Sequence, residues 1–243
     1  MNMKSNRDRI KEKILFLNDK KWRSDDFDVR YYLISKLRKF MSKVVLDVGG
    51  GIGIIESEMD QSNFRVNVDI SFEDLEICFH KTDPKIHPIC ASMLFLPFRD
   101  CIFDIVISSH VIELAKLMDI SEKDEGKKRE FINMKKVIEE EYRALRKNGV
   151  LFLTTPNYAY HKTNNKLTFS ELNQLLSLFF KELSINFFNT FPKISKSRKF
   201  NLANVVPKIK AKFVNADNVI NSLFKEESKN NYSVYFFATA KKN

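Results

Sequence analysis

Apolar residues recur along this 243-residue chain in two rhythms, and their alternation lays out an architecture. Val44, Val45 and Leu46 form a short aliphatic run that suits a strand buried on both faces. Glycines follow at 49, 50, 51 and 53, and Ile52, Ile54, Ile55 and Met59 then return at helical spacing. Phe64 to Ile70 alternates as a second strand, and Phe103 to Ile107 reads as the fourth, with Ser108, Ser109 and His110 at its carboxyl end. The stretch Lys128 to Lys147 carries Phe131, Val137, Ile138, Tyr142 and Leu145 on one stripe and stops at Asn148-Gly149. Thr168 with Glu171 predicts a capping box opening a helix from Phe169 to Phe180. Leu183 to Phe188 and Tyr232 to Ala240 read as the last two strands. Strands alternating with helices argue for an α/β fold with a parallel sheet.

Two helices are expected upstream, over Arg7–Asn18 and Asp26–Met41, the second started by Ser24 or Asp25. Its apolar positions are Phe27, Tyr31, Leu33, Ile34, Leu37 and Phe40. These divide the chain into a helical leader, 1–43, and a main domain, 44–243. Between the last two strands lies a lysine-rich insertion at 189–231, with a short helix expected over Val214–Phe224. Connections usually run about 4–6 residues, so an insertion of this size is where substrate specificity is expected to be set.

Strand, glycine turn and helix in that order make a nucleotide-binding βα unit. The spacing narrows the nucleotide. A dinucleotide fingerprint needs a third glycine three residues after the second, and the chain has Ile54 or Glu56 there. No Lys-Ser/Thr pair follows to make a phosphate-clamping loop. Asp47 at the mouth of the turn would repel a diphosphate and attract an ammonium. Asp69 closes the second strand 22 residues on, where a carboxylate grips the hydroxyls of a ribose.

The D-x-G-x-G-x-G pattern of Asp47, Gly49, Gly51 and Gly53 resembles the first motif of the class I S-adenosylmethionine-dependent methyltransferases. Leu96 to Glu113 (L-P-F-R-D-C-I-F-D-I-V-I-S-S-H-V-I-E) is similar to that family's L-P-F-x-D-x-x-F-D-x-V segment. Glu139 to Asn157 is similar to its helix, glycine turn and fifth strand, ending in Thr-Pro-Asn. The resemblance covers roughly residues 44 to 157. It implies a Rossmann-like, doubly wound, mostly parallel seven-stranded sheet with helices on both faces and an antiparallel last strand. It implies S-adenosyl-L-methionine as cofactor, held by Asp47, Gly49, Gly50, Gly51, Gly53, Asp69, Ile70, Ser92, Met93 and Ser108. Ile70 is then expected against the adenine, and the N–H groups of the helix after Gly53 are expected to face the cofactor's carboxylate. Many relatives carry an acid where this chain has Ser92, whose hydroxyl accepts a weaker hydrogen bond. The leader is expected over the cleft, with Tyr31 and Tyr32 placed to face it.

Composition sharpens this picture at the edges. The net charge of +10 divides unevenly: residues 1–43 carry +7, 44–180 carry −5 and 181–243 carry +8. Basic ends around an acidic middle suit a polyanion, so nucleic acid stands as a partner beside a small molecule, lipid or glycan. No apolar run approaches the about 18 residues of a membrane span, and the N-terminus lacks a signal-peptide stretch. Cys78, Cys90 and Cys101 read as reduced, buried residues of a cytoplasmic protein, and the scattered histidines and cysteines predict no metal site.

The implied reaction is in-line attack by an acceptor on the sulfonium methyl. Candidate bases are His110 after strand four and His161 after strand five, since imidazole titrates near neutral pH. Ser108-Ser109-His110-Val111 stands where many exocyclic-amine enzymes carry Asn/Asp-Pro-Pro-Tyr, which favours an oxygen or carbon acceptor. The alternatives are an RNA methyltransferase and a protein that binds the cofactor without turnover.

Overall fold

The computed structural model describes residues 27–118, 127–158, 167–188 and 235–243. The expected helices at Arg7–Asn18 and Val214–Phe224, the insertion at 189–231 and His161 lie outside the described residues.

Seven strands form one sheet in the order β3-β2-β1-β4-β5-β7-β6. They are β1 (Val44–Val48), β2 (Phe64–Asp69), β3 (Ile86–Cys90), β4 (Phe103–Ser109), β5 (Leu145–Pro156), β6 (Glu182–Phe188) and β7 (Tyr235–Lys241). The first five in spatial order run parallel, and β7 runs antiparallel to both β5 and β6. Strand order reverses between β1 and β4, the switch point outside whose carboxyl ends such sheets collect ligands.

Both faces of the sheet are covered. Val45, Ile105, Ile107, Phe152 and Phe237 meet Leu33, Ile34 and Leu37 of helix α1 (Phe27–Leu37) and Ile54 and Ile55 of α2 (Ile54–Ser57). Leu46, Val48, Val106 and Leu153 face the other way, onto Met134, Val137 and Ile138 of α4 (Lys127–Ala144) and Leu172, Leu175 and Leu176 of α5 (Phe169–Ser177). Helix α3 (Phe72–Ile77) lies between β2 and β3 and is capped by Ser71, whose hydroxyl accepts from the Asp74 amide. The Thr168–Glu171 capping box forms, with the Glu171 amide donating to Thr168 Oγ1 at 3.2 Å and the Thr168 amide to Glu171 Oε2 at 2.7 Å.

Several elements end earlier than their apolar spacing suggests. The helix after the glycine turn is a single turn, because Asp60 diverts the chain: its carboxylate accepts from the Ser62 amide at 2.9 Å and its carbonyl from the Asn63 side chain. Helix α4 stops at Ala144 rather than Lys147. The carbonyls of Arg143 and Ala144 accept from the amides of Cys101 and Ile102, so pairing with β4 begins where another helical turn would stand. Asn148, at φ 64°, and Gly149 then form an irregularity inside β5 instead of a helix cap. Helix α1 ends at Leu37.

Arg143 ties the Leu-Pro-Phe segment to α4. Its guanidinium donates to the carbonyls of Leu96 and Phe98 and to Asp100 and Glu140, while Glu140 Oε2 accepts from the Leu96 amide at 2.9 Å. Cysteine burial differs from expectation. All three thiols are free and Cys78 is buried, but Cys90 closes edge strand β3 and Cys101 sits in a turn at φ 58°, leaving both exposed. No helix among the described residues is long and apolar enough to cross a membrane.

Candidate active site

A cavity of about 340 Å³ opens at the carboxyl ends of β1, β2 and β4. Asp47, Gly49, Gly50, Gly51, Asp69, Ile70, Ser92, Met93 and His110 all line it. Gly53 and Ser108 do not.

The glycine turn is held from within. The Gly49 amide donates to Val68 O at 2.6 Å and the Gly53 amide to Gly50 O at 3.1 Å. The helix that follows Gly53 is a single turn, Ile54–Ser57. Gly53 serves packing: at φ 75°, a Cβ there would lie 2.5 Å from Cys78 Sγ. Gly51 is different. At φ 56°, its missing Cβ leaves open space, with no atom nearer than 3.9 Å. Its amide donates to Asp69 Oδ2 at 2.9 Å, and the Ser71 amide donates to Asp69 Oδ1 at 2.9 Å. One amide on each oxygen fixes the carboxylate and leaves further lone pairs to accept hydroxyls. Beside it Ile70 is 69% exposed, an aliphatic face at the mouth of the cavity. The Ser92 hydroxyl accepts from the Leu94 amide at 3.3 Å, which keeps its own proton available to donate.

Asp47 is 1% exposed, and neither carboxylate oxygen has a hydrogen-bond partner among the described residues. Burial holds its carboxyl well above the usual range, and the neighbouring Glu56 raises it further. Sequence spacing missed Glu56 because it stands in an aliphatic helical run. Arg30 was missed too. It lines the cavity from α1, whereas Tyr32 packs its ring against Phe188 and Phe237 and neither tyrosine borders the cavity. The signal was present: Arg30 shares an i, i+4, i+7 stripe with Ile34 and Leu37, a charge on a face that is otherwise buried.

At the end of β4 successive side chains point to opposite faces. Ser109 lines the cavity and shares a 2.9 Å hydrogen bond with Thr154, while Ser108 is fully buried on the side of Glu141. Ser108, expected at the cofactor, therefore lies off the cavity, and Ser109 stands on its wall instead. His110 adopts φ 61°, its amide donates to Thr154 O at 2.8 Å, and its ring lies 5.3 Å from that of Tyr235. A non-glycine residue held in this region at a cavity wall is a common mark of function. Nearby, Thr155 Oγ1 donates to the buried carboxylate of Glu113 at 2.9 Å.

Residues 46–153 match the model of a methyltransferase domain. That stretch of the chain carries a methyltransferase domain. Its fold is shared with a S-adenosylmethionine-dependent methyltransferase from Archaeoglobus fulgidus at 19% identity and TM-score 0.57, covering 94% of this chain and 99% of that one. It is likewise similar to the N-methyltransferase NodS of Bradyrhizobium japonicum bound to S-adenosylhomocysteine, at 12% identity and TM-score 0.59, covering 98% and 99%. A TehB-like methyltransferase from Corynebacterium glutamicum aligns at 13% identity and TM-score 0.53, covering 88% and 87%. No curated protein matches the chain.

The donor set of the cavity suits S-adenosylmethionine, the cofactor that the sequence resemblance implies. An orphaned carboxylate meets the need of a cation, an open glycine cradle admits a ligand close to the backbone, and an amide-fixed carboxylate can accept two hydroxyls.

Proposed function

We propose that the enzyme transfers the methyl group of S-adenosylmethionine to an oxygen or carbon atom of a small-molecule, lipid or glycan acceptor. The observation that carries this reading is the placement of His110 on the same cavity as Asp47 and Asp69, at the switch point of the sheet. Asp69 receives the ribose hydroxyls on its two fixed oxygens, Ile70 covers the adenine, and Ser92 and Met93 border its edge. Asp47 faces the ammonium of the methionine arm, and Arg30 supplies positive charge for the carboxylate.

The bound cofactor supplies a methyl group made electrophilic by its positive sulfur. Alignment of the acceptor contributes up to about 7–11 kcal/mol of the barrier, and a base adds about 10²–10⁴-fold for a hydroxyl. His110 takes that proton. Val111, Leu114 and Met118 give the cavity an apolar wall that suits a partly apolar acceptor better than a polyanion. The free cysteines agree with a cytoplasmic setting.

The second reading is RNA, favoured by the +7 and +8 ends. Incubation with labelled cofactor and fractionated cell extract separates the two. Label in lipid, glycan or small-molecule fractions supports the first reading, whereas label in RNA, with affinity falling steeply as salt rises, replaces it.

A further inference from the structure

Behind the glycine turn lies a second acid to which the roles above give no part. Glu56 projects from α2 and is completely buried. Its carboxyl lies in hydrogen-bonding reach of that of Asp47 and beside its own backbone amide, and among the described residues no other amide, hydroxyl or cation donates to either. A Cβ on Gly50 would stand 2.8 Å from Glu56 Oε1, so only the width of the turn separates this acid from the cavity. Two adjoining carboxyls buried this deeply repel one another when both are ionised, and a proton shared by the pair relieves that repulsion.

The surrounding charges do not remove that repulsion. Arg30 on α1 favours ionisation of Asp47, and Asp69 at the end of β2 opposes it. Arg65 on β2 acts on Glu56, but its Nη1 is engaged by the Glu56 carbonyl at 3.1 Å and by Asp83 Oδ2 at 2.9 Å. Cys78, on the turn after α3, stays a neutral thiol, pushed up to about 12 by burial and then by Glu56. Burial pushes Glu56 itself up to about 7.

We propose that Glu56 is a positioning residue of the cofactor site, which through Asp47 keeps a proton in the free enzyme that capture of the cofactor's ammonium expels. One proton passes from the Asp47–Glu56 pair to solvent, and one negative charge is left opposite the ammonium. The inference rests on Asp47 being the ammonium's partner. Affinity then falls about tenfold per pH unit as pH drops below neutrality, because the cation must compete with the proton.

The test is calorimetric titration of the full chain with S-adenosylhomocysteine in buffers of differing ionisation enthalpy, from about pH 5.5 to about 7.5, where the ligand's free-amino-acid ammonium, more basic than a chain terminus at about 7.7–8.0, stays charged. Release approaching one proton per ligand below neutrality is expected, fading as pH rises. Glu56→Gln should bind at the upper end of that range and release its proton only at lower pH than wild type, because burial still raises Asp47 while the neighbouring acid no longer does. With 5′-methylthioadenosine, which lacks the amino-acid arm, the wild type should release none. Buffer-independent heats for wild type with S-adenosylhomocysteine overturn the proposal, as does equal release with both ligands; the wild-type pair of titrations decides even if Glu56→Gln fails to fold. Failure of S-adenosylhomocysteine to bind at any pH overturns the cofactor assignment itself.

Discussion

Gly51 and Asp69 are joined across the mouth of the cavity, the glycine amide donating to Asp69 Oδ2 at 2.9 Å. That bond couples the first strand's turn to the end of the second and aims a carboxylate at the ligand. Charge-assisted hydrogen bonds of this kind contribute about 1.5–3 kcal/mol each. Asp69→Ala is therefore expected to weaken S-adenosylhomocysteine binding by about 10–150-fold, and Asp69→Asn by less. Isothermal titration measures both, and an unchanged affinity for the alanine variant removes Asp69 from the site.

Two glycines of the same turn should fail in different ways. A Cβ at Gly49 would sit 2.4 Å from Val111 Cγ2, on a backbone at φ 67°. Gly49→Ala combines about 1–2 kcal/mol of left-handed strain with about 1–3 kcal/mol of overpacking, and is expected to lower the melting temperature markedly. Gly51→Ala carries the strain alone, but its methyl enters the cavity. It should melt closer to the wild type while losing most of its cofactor affinity. Thermal melts paired with ligand titration separate the two outcomes.

Much of this frame was legible in the chain. Buried parallel strands read as continuous aliphatic runs, so Val44–Val48 and Phe64–Asp69 stand where the apolar pattern placed them. The same property hid the facing of Ser108 and Ser109, since a strand buried on both sides offers no alternation to tell inward from outward. Helix ends were less legible. The end of α4 is decided by amides of Cys101 and Ile102, more than forty residues away, which no local spacing records. Arg30 and Glu56 broke the apolar pattern of their helices, and both breaks fall at the cofactor site.

Glu141 shows what a buried acid costs away from the cavity. It is fully buried beneath β4, and burial pushes its carboxyl up to about 8. The folded protein thus keeps a proton that the unfolded chain loses above its ordinary value of 4.5. Its contribution is fully present below that value and is lost as pH rises toward about 8. Glu141→Gln keeps the shape and removes the titration. It should raise the melting temperature at neutral pH, by about 2–4 °C per kcal/mol recovered, with the gain vanishing in acid. A gain that persists below pH 4.5 contradicts this account.

His110 combines a strained backbone with a place on the cavity wall. Asparagine tolerates the left-handed region nearly as readily as any residue but glycine, so His110→Asn removes the imidazole without forcing the turn at the end of β4 to rearrange. The amide bond to Thr154 O is a backbone contact and survives the change. If His110 takes the acceptor's proton, kcat should fall by about 10²–10⁴-fold while affinity for S-adenosylhomocysteine stays near that of wild type. A role in shaping the cofactor pocket predicts the reverse, with weaker ligand binding and little change in turnover at saturation. Label transfer to the identified acceptor, measured at saturating cofactor beside a binding isotherm, distinguishes the two, and a variant that keeps full turnover excludes His110 as the base.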